Sequence, residues 1–258
     1  MIQLNINLQR KFDLLYLLTH KEVALKYKRT MLGIFWSMLN PILLALVFFV
    51  AFKIFMRFNV ENYTFFLLSA LFPWTWFQSS ILLSSRTFIE NVNLIKKIIF
   101  PRHYLVVAII FSQLVHLVFS LPILLFFSFK DMQGPSLAWI WGIPLLILIQ
   151  FMFTFGLSVV VAILNTYFRD MEYLVGVAMT LIFWLTPITY PLSAIPQKYQ
   201  SFFLFNPLAS LIFSWRELLI YNRVAWSHIG SALGFALLVF FFGKKLFHHL
   251  ERRLDEVL

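Results

Sequence analysis

From Gly33 to Phe52 the chain is apolar apart from Ser37 and Asn40, and the run is entered through a basic stretch holding Lys21, Lys26, Lys28 and Arg29. That run restricts the fold more than any other feature. An α-helix needs roughly 20 mostly apolar residues to cross the hydrocarbon core of a bilayer. Inside that core every backbone N–H and C=O has to be bonded within the segment, so a helix is the form such a run takes. Basic residues before a span hold that end on the cytoplasmic side, because they resist translocation. Residues 1–32 therefore read as a cytoplasmic amphipathic segment, and 33–258 as a transmembrane domain with a cytoplasmic C-terminal tail.

Composition agrees. Hydrophobic residues make up 61% of the chain and charged residues 12%, whereas a soluble domain is about half apolar and about a quarter charged. A soluble protein this apolar has too little polar surface to cover itself. The net charge of +10 would suggest nucleic acid only if the basic residues formed a surface patch. They sit beside the apolar runs instead, so topology accounts for them and no nucleic-acid partner is expected. With no cysteine, disulfides and thiolate chemistry are excluded. No cleavable signal is expected, since the first ~30 residues carry charge throughout and lack an apolar core followed by small residues.

Six spans can be placed: Gly33 to Phe52, Tyr63 to Ser84, Tyr104 to Phe129, Leu137 to Leu164, Tyr173 to Tyr190 and Trp226 to Gly243. Ser201 to Tyr221 tempts a seventh, but Pro207 breaks it and Arg216-Glu217 lies in its second half. A central charge on a lipid-facing helix costs about 2.5–3.5 kcal/mol on insertion scales. With six spans, 15 Lys and Arg residues fall on the side of the N-terminus and 6 on the other. That bias puts both termini in the cytoplasm. A seventh span would export Lys244, Lys245, Arg252 and Arg253. The stretch 201–221 is therefore expected as two short re-entrant helices broken at Asn206-Pro207, an outer gate between spans five and six; a helix pair lying on the outer leaflet fits it as well. No internal repeat is visible, so one copy reads as half of a pore completed around a twofold axis.

Ahead of the spans, Arg10 to Thr30 reads as a helix. Phe12, Tyr16, Thr19, Val23, Tyr27 and Thr30 share a stripe, with Lys11, Lys21, Lys28 and Arg29 roughly opposite. An interfacial helix in the headgroup plane fits, and so does a cytoplasmic helix packed on a partner.

The chemistry that is missing narrows the function. The chain has no G-x-x-x-x-G-K-[ST] loop, so it does not cradle ATP by that route. It has no H-E-x-x-H and no cysteine pair, so no metal site is expected. His248-His249 belongs to a basic tail. His103 stands at a span entrance, and His116 lies inside the third span, where helix–helix hydrogen bonding and a functional role are both open. Acidic residues are nearly all in loops, against a proton-driven carrier and against catalysis.

Three stretches carry positive information. Aromatic residues are abundant, with 32 Phe, 9 Tyr and 8 Trp. Phe72, Trp74, Trp76 and Phe77 cluster mid-span, and Phe35, Trp36, Phe183, Trp184 and Tyr190 add to them. Aromatic faces can line a path for a sugar chain, because the C–H faces of pyranose rings pack on them; aromatic packing among helices accounts for the same residues. The basic loop Arg86 to Arg102 holds a short amphipathic helix over Asn91 to Ile99, ended by Pro101. Such a helix suits docking in a groove of a soluble partner, or is an ordinary inner loop. In the tight turn N-T-Y-F-R-D (Asn165 to Asp170), Arg169 and Asp170 are expected to cap and pair.

L-G-I-F-W-S-M-L-N-P (Leu32 to Pro41), preceded by K-Y-K-R-T, resembles the membrane subunit of bacterial polysaccharide ABC exporters, the O-antigen, capsule and teichoic acid permeases. L-F-P-W-T-W-F (Leu71 to Phe77), K-K-I-I-F-P-R (Lys96 to Arg102), N-T-Y-F-R-D and W-L-T-P-I-T-Y (Trp184 to Tyr190) resemble that family in order and spacing. The resemblance implies a non-enzymatic permease in the bacterial inner membrane. It would be a homodimer bound to two copies of a separate ATP-binding subunit that holds ATP and Mg, exporting a polyprenyl-pyrophosphate-linked glycan. It implies an interface helix over Lys11 to Thr30. It makes Asn91, Val92, Asn93, Leu94, Ile95, Lys96 and Lys97 the coupling helix, and Asn206, Pro207, Arg216 and Glu217 part of the outer gate. Phe35, Trp36, Phe72, Trp74, Trp76, Phe77, Trp184 and Tyr190 would line the channel. Lys26, Lys28 and Arg29, near the cytoplasmic entrance, are candidates to hold the pyrophosphate, since phosphate prefers cationic donors. A lipid or drug exporter on the same membrane fold is the alternative. A membrane enzyme acting on lipid-linked sugars would need acidic or histidine residues clustered at one face, and none are.

Overall fold

The computed structural model describes residues 2–28, 33–57, 60–98, 100–131, 134–200, 203, 206–251 and 254. Among these the protein is helical, with no strand: α1 (Ile2–Tyr27), α2 (Trp36–Phe48), α3 (Tyr63–Glu90), α4 (Val92–Lys97), α5 (His103–Asp131), α6 (Ala138–Tyr167), α7 (Met171–Leu185), α8 (Gln197–Gln200), α9 (Pro207–Leu219) and α10 (Trp226–Glu251).

Helix α3 is the centre of the bundle. It packs on α2, α5, α6, α7 and α9, and most of its residues are buried. Its sequence explains this. Large rings alternate with Ser69, Ala70, Ser80, Ser84 and Ser85, all fully buried, and small residues let neighbouring backbones come close where no hydrophobic force drives helices together. The closest approach in the bundle is between α6 and α10. A Cβ added at Gly243 would lie 2.2 Å from the Gly156 carbonyl oxygen, and one added at Gly156 would lie 2.4 Å from that of Val239. Only glycine fits at both positions.

Side-chain ties fix the two ends. At one end Asn165 Nδ2 donates to the Ser85 carbonyl at 2.9 Å. There Tyr167 donates to Leu250 O at 3.1 Å and Arg102 to Glu251 O at 3.1 Å. Arg86 pairs with Glu172. At the other end Asn222, at φ 55°, accepts from Ser136 N at 3.0 Å and donates to Gly134 O at 2.9 Å. That clasps the α5–α6 loop to the α9–α10 loop.

Among the described residues four helices are long and apolar enough to cross a membrane: Tyr63–Glu90, His103–Lys130, Ala138–Tyr167 and Trp226–Glu251. The first expected span is instead composite. A 3-10 turn over Gly33–Phe35 leads into α2, and a π-helical turn over Phe49–Phe55 follows. Gly33 at φ +50° takes a left-handed conformation before the turn. The fifth expected span ends at Leu185 rather than Tyr190, because Thr186 precedes Pro187 and is extended, with φ −107° and ψ 133°. At 15 residues, α7 is about 22 Å long against a core of about 30 Å. The tail after Gly243 continues α10 to Glu251, since a polar sequence of good helix formers has no reason to stop where lipid does. Helix α9, 13 residues long, is about 20 Å and too short to span. No helix of spanning length is found in 201–221 among the described residues.

Helix α1 begins earlier than periodicity indicates and lies on α5. The face it turns inward is not the expected stripe: Leu18 is buried, Leu14 and Leu15 are half-buried, and Phe12 and Tyr16 are exposed. Leu14 and Leu18, which lie on the basic side of that helix, help make the contact, whereas Leu25 on the same side is exposed.

Candidate translocation site

The C-terminal turn of α1 brings Lys26 and Tyr27 onto the middle of α5. The Lys26 ammonium donates to Gln113 Oε1 at 2.9 Å and lies 3.0 Å from His116 Nε2. The Tyr27 hydroxyl lies 2.9 Å from the same nitrogen, with its ring edge-on to the imidazole. His116 is thus a helix–helix hydrogen-bonding group. Burial at this seam holds the Lys26 ammonium below the ordinary lysine value.

These groups form one wall of a cavity of about 360 Å³ between α1, α2, α3 and α5. Trp36, Phe72 and Trp76 supply rings, and Asn40, Thr75, Gln78 and Ser79 supply amides and hydroxyls. The described lining contains a cation and no carboxylate. A site of this composition packs apolar ring faces on its aromatic wall and hydrogen-bonds hydroxyls on the other.

Four of the residues singled out in the sequence therefore share one cavity: Lys26, Trp36, Phe72 and Trp76. The others do not. Trp74 is enclosed between α3 and α7, 5.6 Å from the Phe183 ring, and donates to Gln78 Oε1 at 3.0 Å. Phe77 stacks on Phe153 of α6 at 5.7 Å. Trp76 touches the cavity but is itself fully buried and donates to the Ile110 carbonyl at 3.1 Å. Phe35 and Trp184 are exposed, and Tyr190 is half-buried with its hydroxyl on Trp184 O at 2.7 Å. Lys28 is exposed and off the cavity, and Arg29 lies outside the described residues.

At the basic end, Asn91 starts a one-and-a-half-turn helix, Val92–Lys97, shorter than the expected Asn91 to Ile99. Ile95 is buried; Asn93, Lys96 and Lys97 face outward; Val92 and Leu94 are half-buried. Lys21 of α1 donates to Asn91 Oδ1 at 2.6 Å, so α1 and this small helix share a joint. In the N-T-Y-F-R-D turn the cap differs from expectation. Asp170 stands at the N-cap of α7 without a side-chain hydrogen bond, and Asn165 Oδ1 accepts from Glu172 N at 3.1 Å. Asn165 sits on the rigid end of α6 and is already anchored to Ser85, so it reaches the free N–H first. Among the described residues Arg169 and Asp170 form no ion pair.

At the opposite end Asn206 caps α9, accepting from Leu208 N at 3.0 Å, with Pro207 in the first turn where its missing N–H costs nothing. Arg216 is 5% exposed. Its two terminal nitrogens donate to the Pro187 and Ile188 carbonyls at 2.5 Å each, and its guanidinium lies 3.6 Å from the centre of the Phe66 ring. Glu217 turns the other way and accepts from Arg223 at 2.7 Å.

The sequence profile of the family described as ABC-2 type transporter matches residues 13–220. The chain belongs to the ABC-2 type transporter family. An O-antigen export system permease protein RfbA from Klebsiella pneumoniae is 38% identical over 257 residues, covering 100% of this chain and 99% of that protein. A second protein of that name and species is 37% identical over the same coverage. One from Myxococcus xanthus is 33% identical over 229 residues, 87% of this chain and 86% of its own. The protein is a membrane permease subunit.

Two parts of this ABC-2 transporter escape sequence reasoning. Gln113 and Gln78 line the cavity together with Thr75, and both amides stand beside serines in long apolar helices. Gln150 joins three helices, donating to Pro73 O at 2.8 Å and accepting from Trp215 Nε1 at 2.8 Å. An uncharged amide inside a span was the signal that marks both.

Proposed function

We propose that this permease subunit exports a lipid-linked polysaccharide of the O-antigen type outward across the bacterial inner membrane. Full-length similarity to proteins named as O-antigen export permeases carries the reading. The cavity where Lys26 faces Trp36 and Phe72 agrees with it, offering a cation for a pyrophosphate and ring faces for the first sugars.

In this reading the chain crosses six times with both termini cytoplasmic, α2 with its π turn and α7 with the extended 186–190 segment serving as the two shorter crossings. Two copies form the pore. The exposed apolar residues Leu43, Val47, Val177, Leu181 and Trp184 on α2 and α7 are the surface available for that pairing. ATP and Mg belong to a separate subunit, present twice. Helix α4 and the Lys21–Asn91 joint meet it, so its two states reach α1 and the cavity together. ATP acts by binding those two states differently. Asn206, Pro207 and helix α9 with Arg216 and Glu217 form the outer gate, and Phe35, Tyr190 and the enclosed Trp74, Trp76 and Phe77 complete or stiffen the channel wall.

The test is export in cells that keep the ATP-binding subunit but lack their own permease. Restored surface polysaccharide with this chain, and its loss with Lys26→Gln at unchanged membrane insertion and ATPase activity, is the expected result. Normal insertion and ATPase activity without any polysaccharide at the surface would sink the substrate assignment and favour a lipid or drug exporter on this fold.

A further inference from the structure

A second concavity lies on the far side of the bundle from the translocation cavity, between α5, α6 and α10. It encloses about 240 Å³. Its walls are Val107, Phe151, Phe155, Val159, Phe240 and Phe247, and its mouth carries His103 and Lys244. The rings are ordered against one another. Phe155 stacks on Phe151 at 6.2 Å and lies 5.4 Å from Phe240, while His103 stands edge-on to Phe155 and Phe247. Phe151 and Val159 are eight residues apart on α6, so the slot runs about 12 Å along the helices. Next to Phe155, Gly156 lets α10 touch α6.

The polar groups are all at one end. His103 opens α5 and Lys244 lies two turns from the end of α10, at the end of the bundle where Arg102 reaches Glu251. Lys244 is exposed, and among the described residues neither it nor His103 has a hydrogen bond or ion pair. An apolar slot inside the bilayer, with an unpaired cation and an imidazole at headgroup level, is complementary to one kind of molecule: an acyl chain that carries a negative headgroup. Basic pockets between helices on the cytoplasmic side bind anionic headgroups in this way.

We propose that this groove is a binding site for an anionic phospholipid of the inner leaflet. Its phosphate sits on Lys244 and His103, and one acyl chain lies between Phe151, Phe155 and Phe240. The leaflet rests on the orientation proposed above; the site itself does not. The occupant locks α10 to α5 and α6 from outside the substrate path.

The test measures lipid retention by native mass spectrometry on the full chain, purified in detergent and mixed with equal amounts of phosphatidylglycerol and phosphatidylcholine. Retention is read on the purified chain, so the outcome is independent of what the permease exports. The expected result is preferential retention of phosphatidylglycerol, reduced about five-fold in Lys244→Gln and unchanged in Lys245→Gln, which removes the same charge from a position off the groove. Val107→Phe, which fills the slot and leaves both polar groups, should lower retention of either lipid at that site. Retention indifferent to headgroup, or equal losses in Lys244→Gln and Lys245→Gln, would overturn the proposal.

Discussion

The indole N–H of Trp215 donates to the side-chain oxygen of Gln150 at 2.8 Å, deep between α9 and α6. The other end of the same amide donates to the carbonyl of Pro73 at 2.8 Å. One glutamine thus ties α9 to the central helix α3 through α6. Both partners are enclosed, so Gln150→Leu leaves the indole donor and the carbonyl without partners.

Leaving a buried donor unmet costs about 1–3 kcal/mol, and Gln150→Leu should lose stability in that range in a detergent unfolding assay. Trp215→Phe removes the donor. The double variant should lose less than the sum of the singles by about 0.6 kcal/mol or more, the size of coupling measured between membrane helices. Strict additivity would mean the amide and the indole do not act as a unit.

The α6–α10 crossing makes a sharper claim. With only 2.2 Å between a Cβ at position 243 and the Gly156 carbonyl, Gly243→Ala forces two backbones apart rather than a flexible side chain. Overpacking of this kind costs about 1–3 kcal/mol or more, and the melting temperature should fall clearly. Gly234→Ala on the same helix meets nothing within 4 Å. It should be neutral or stabilising by up to about 1 kcal/mol, the helix propensity difference.

The contrast between those glycines shows what the sequence can carry. Membrane class, the long helices and the capping Asn206 are written in local patterns: apolar length, charge at the flanks, a polar residue before a proline. Partner choice is not. Nothing near Gly156 marks it as the point where α10 lies, and Gly234 reads the same. Leu14 and Leu18 look like defects in an amphipathic helix until α5 is beside them. The cavity was legible by half. Lys26 and the aromatic set stand out by type, but whether a ring faces the cavity, as Trp36 does, or a neighbouring helix, as Trp74 does, depends on rotation about axes that no single span defines.

Arg216 sets up a prediction about the end of the bundle that the proposed topology places outside the cell. Its two bonds to the carbonyls of Pro187 and Ile188 hold the extended segment after α7 against α9, and lysine cannot reproduce that fork. The native chain has no cysteine, so a single Ile188→Cys reports cleanly. Ile188 is fully buried, and labelling by a membrane-impermeant maleimide in intact cells should be slow. Adding Arg216→Lys should raise the labelling rate about ten-fold or more, as expected for losing a charge-assisted bond worth about 1.5–3 kcal/mol. An unchanged rate would mean that α9 and the segment are held by something else.

The two tryptophans Trp36 and Trp74 separate pathway from packing. Trp36 is 46% exposed and lines the cavity beside Lys26. Trp74 is 2% exposed, with its ring between Phe77 and Phe183 and its N–H on Gln78. Truncating a buried Trp to Ala costs about 3–5 kcal/mol, so Trp74→Ala should lower the amount of folded permease in the membrane, and any loss of export should scale with that amount. Trp36→Ala removes about half as much buried surface, since the residue is 46% exposed. Its expression and melting temperature should fall less than those of Trp74→Ala, while export per folded molecule should fall several-fold. The comparison is made by quantifying surface polysaccharide against detergent-extracted, monodisperse protein. Should both variants lose export only in proportion to folded protein, the rings would be structural, and sugar recognition would have to rest on the polar wall of Gln78, Gln113 and His116.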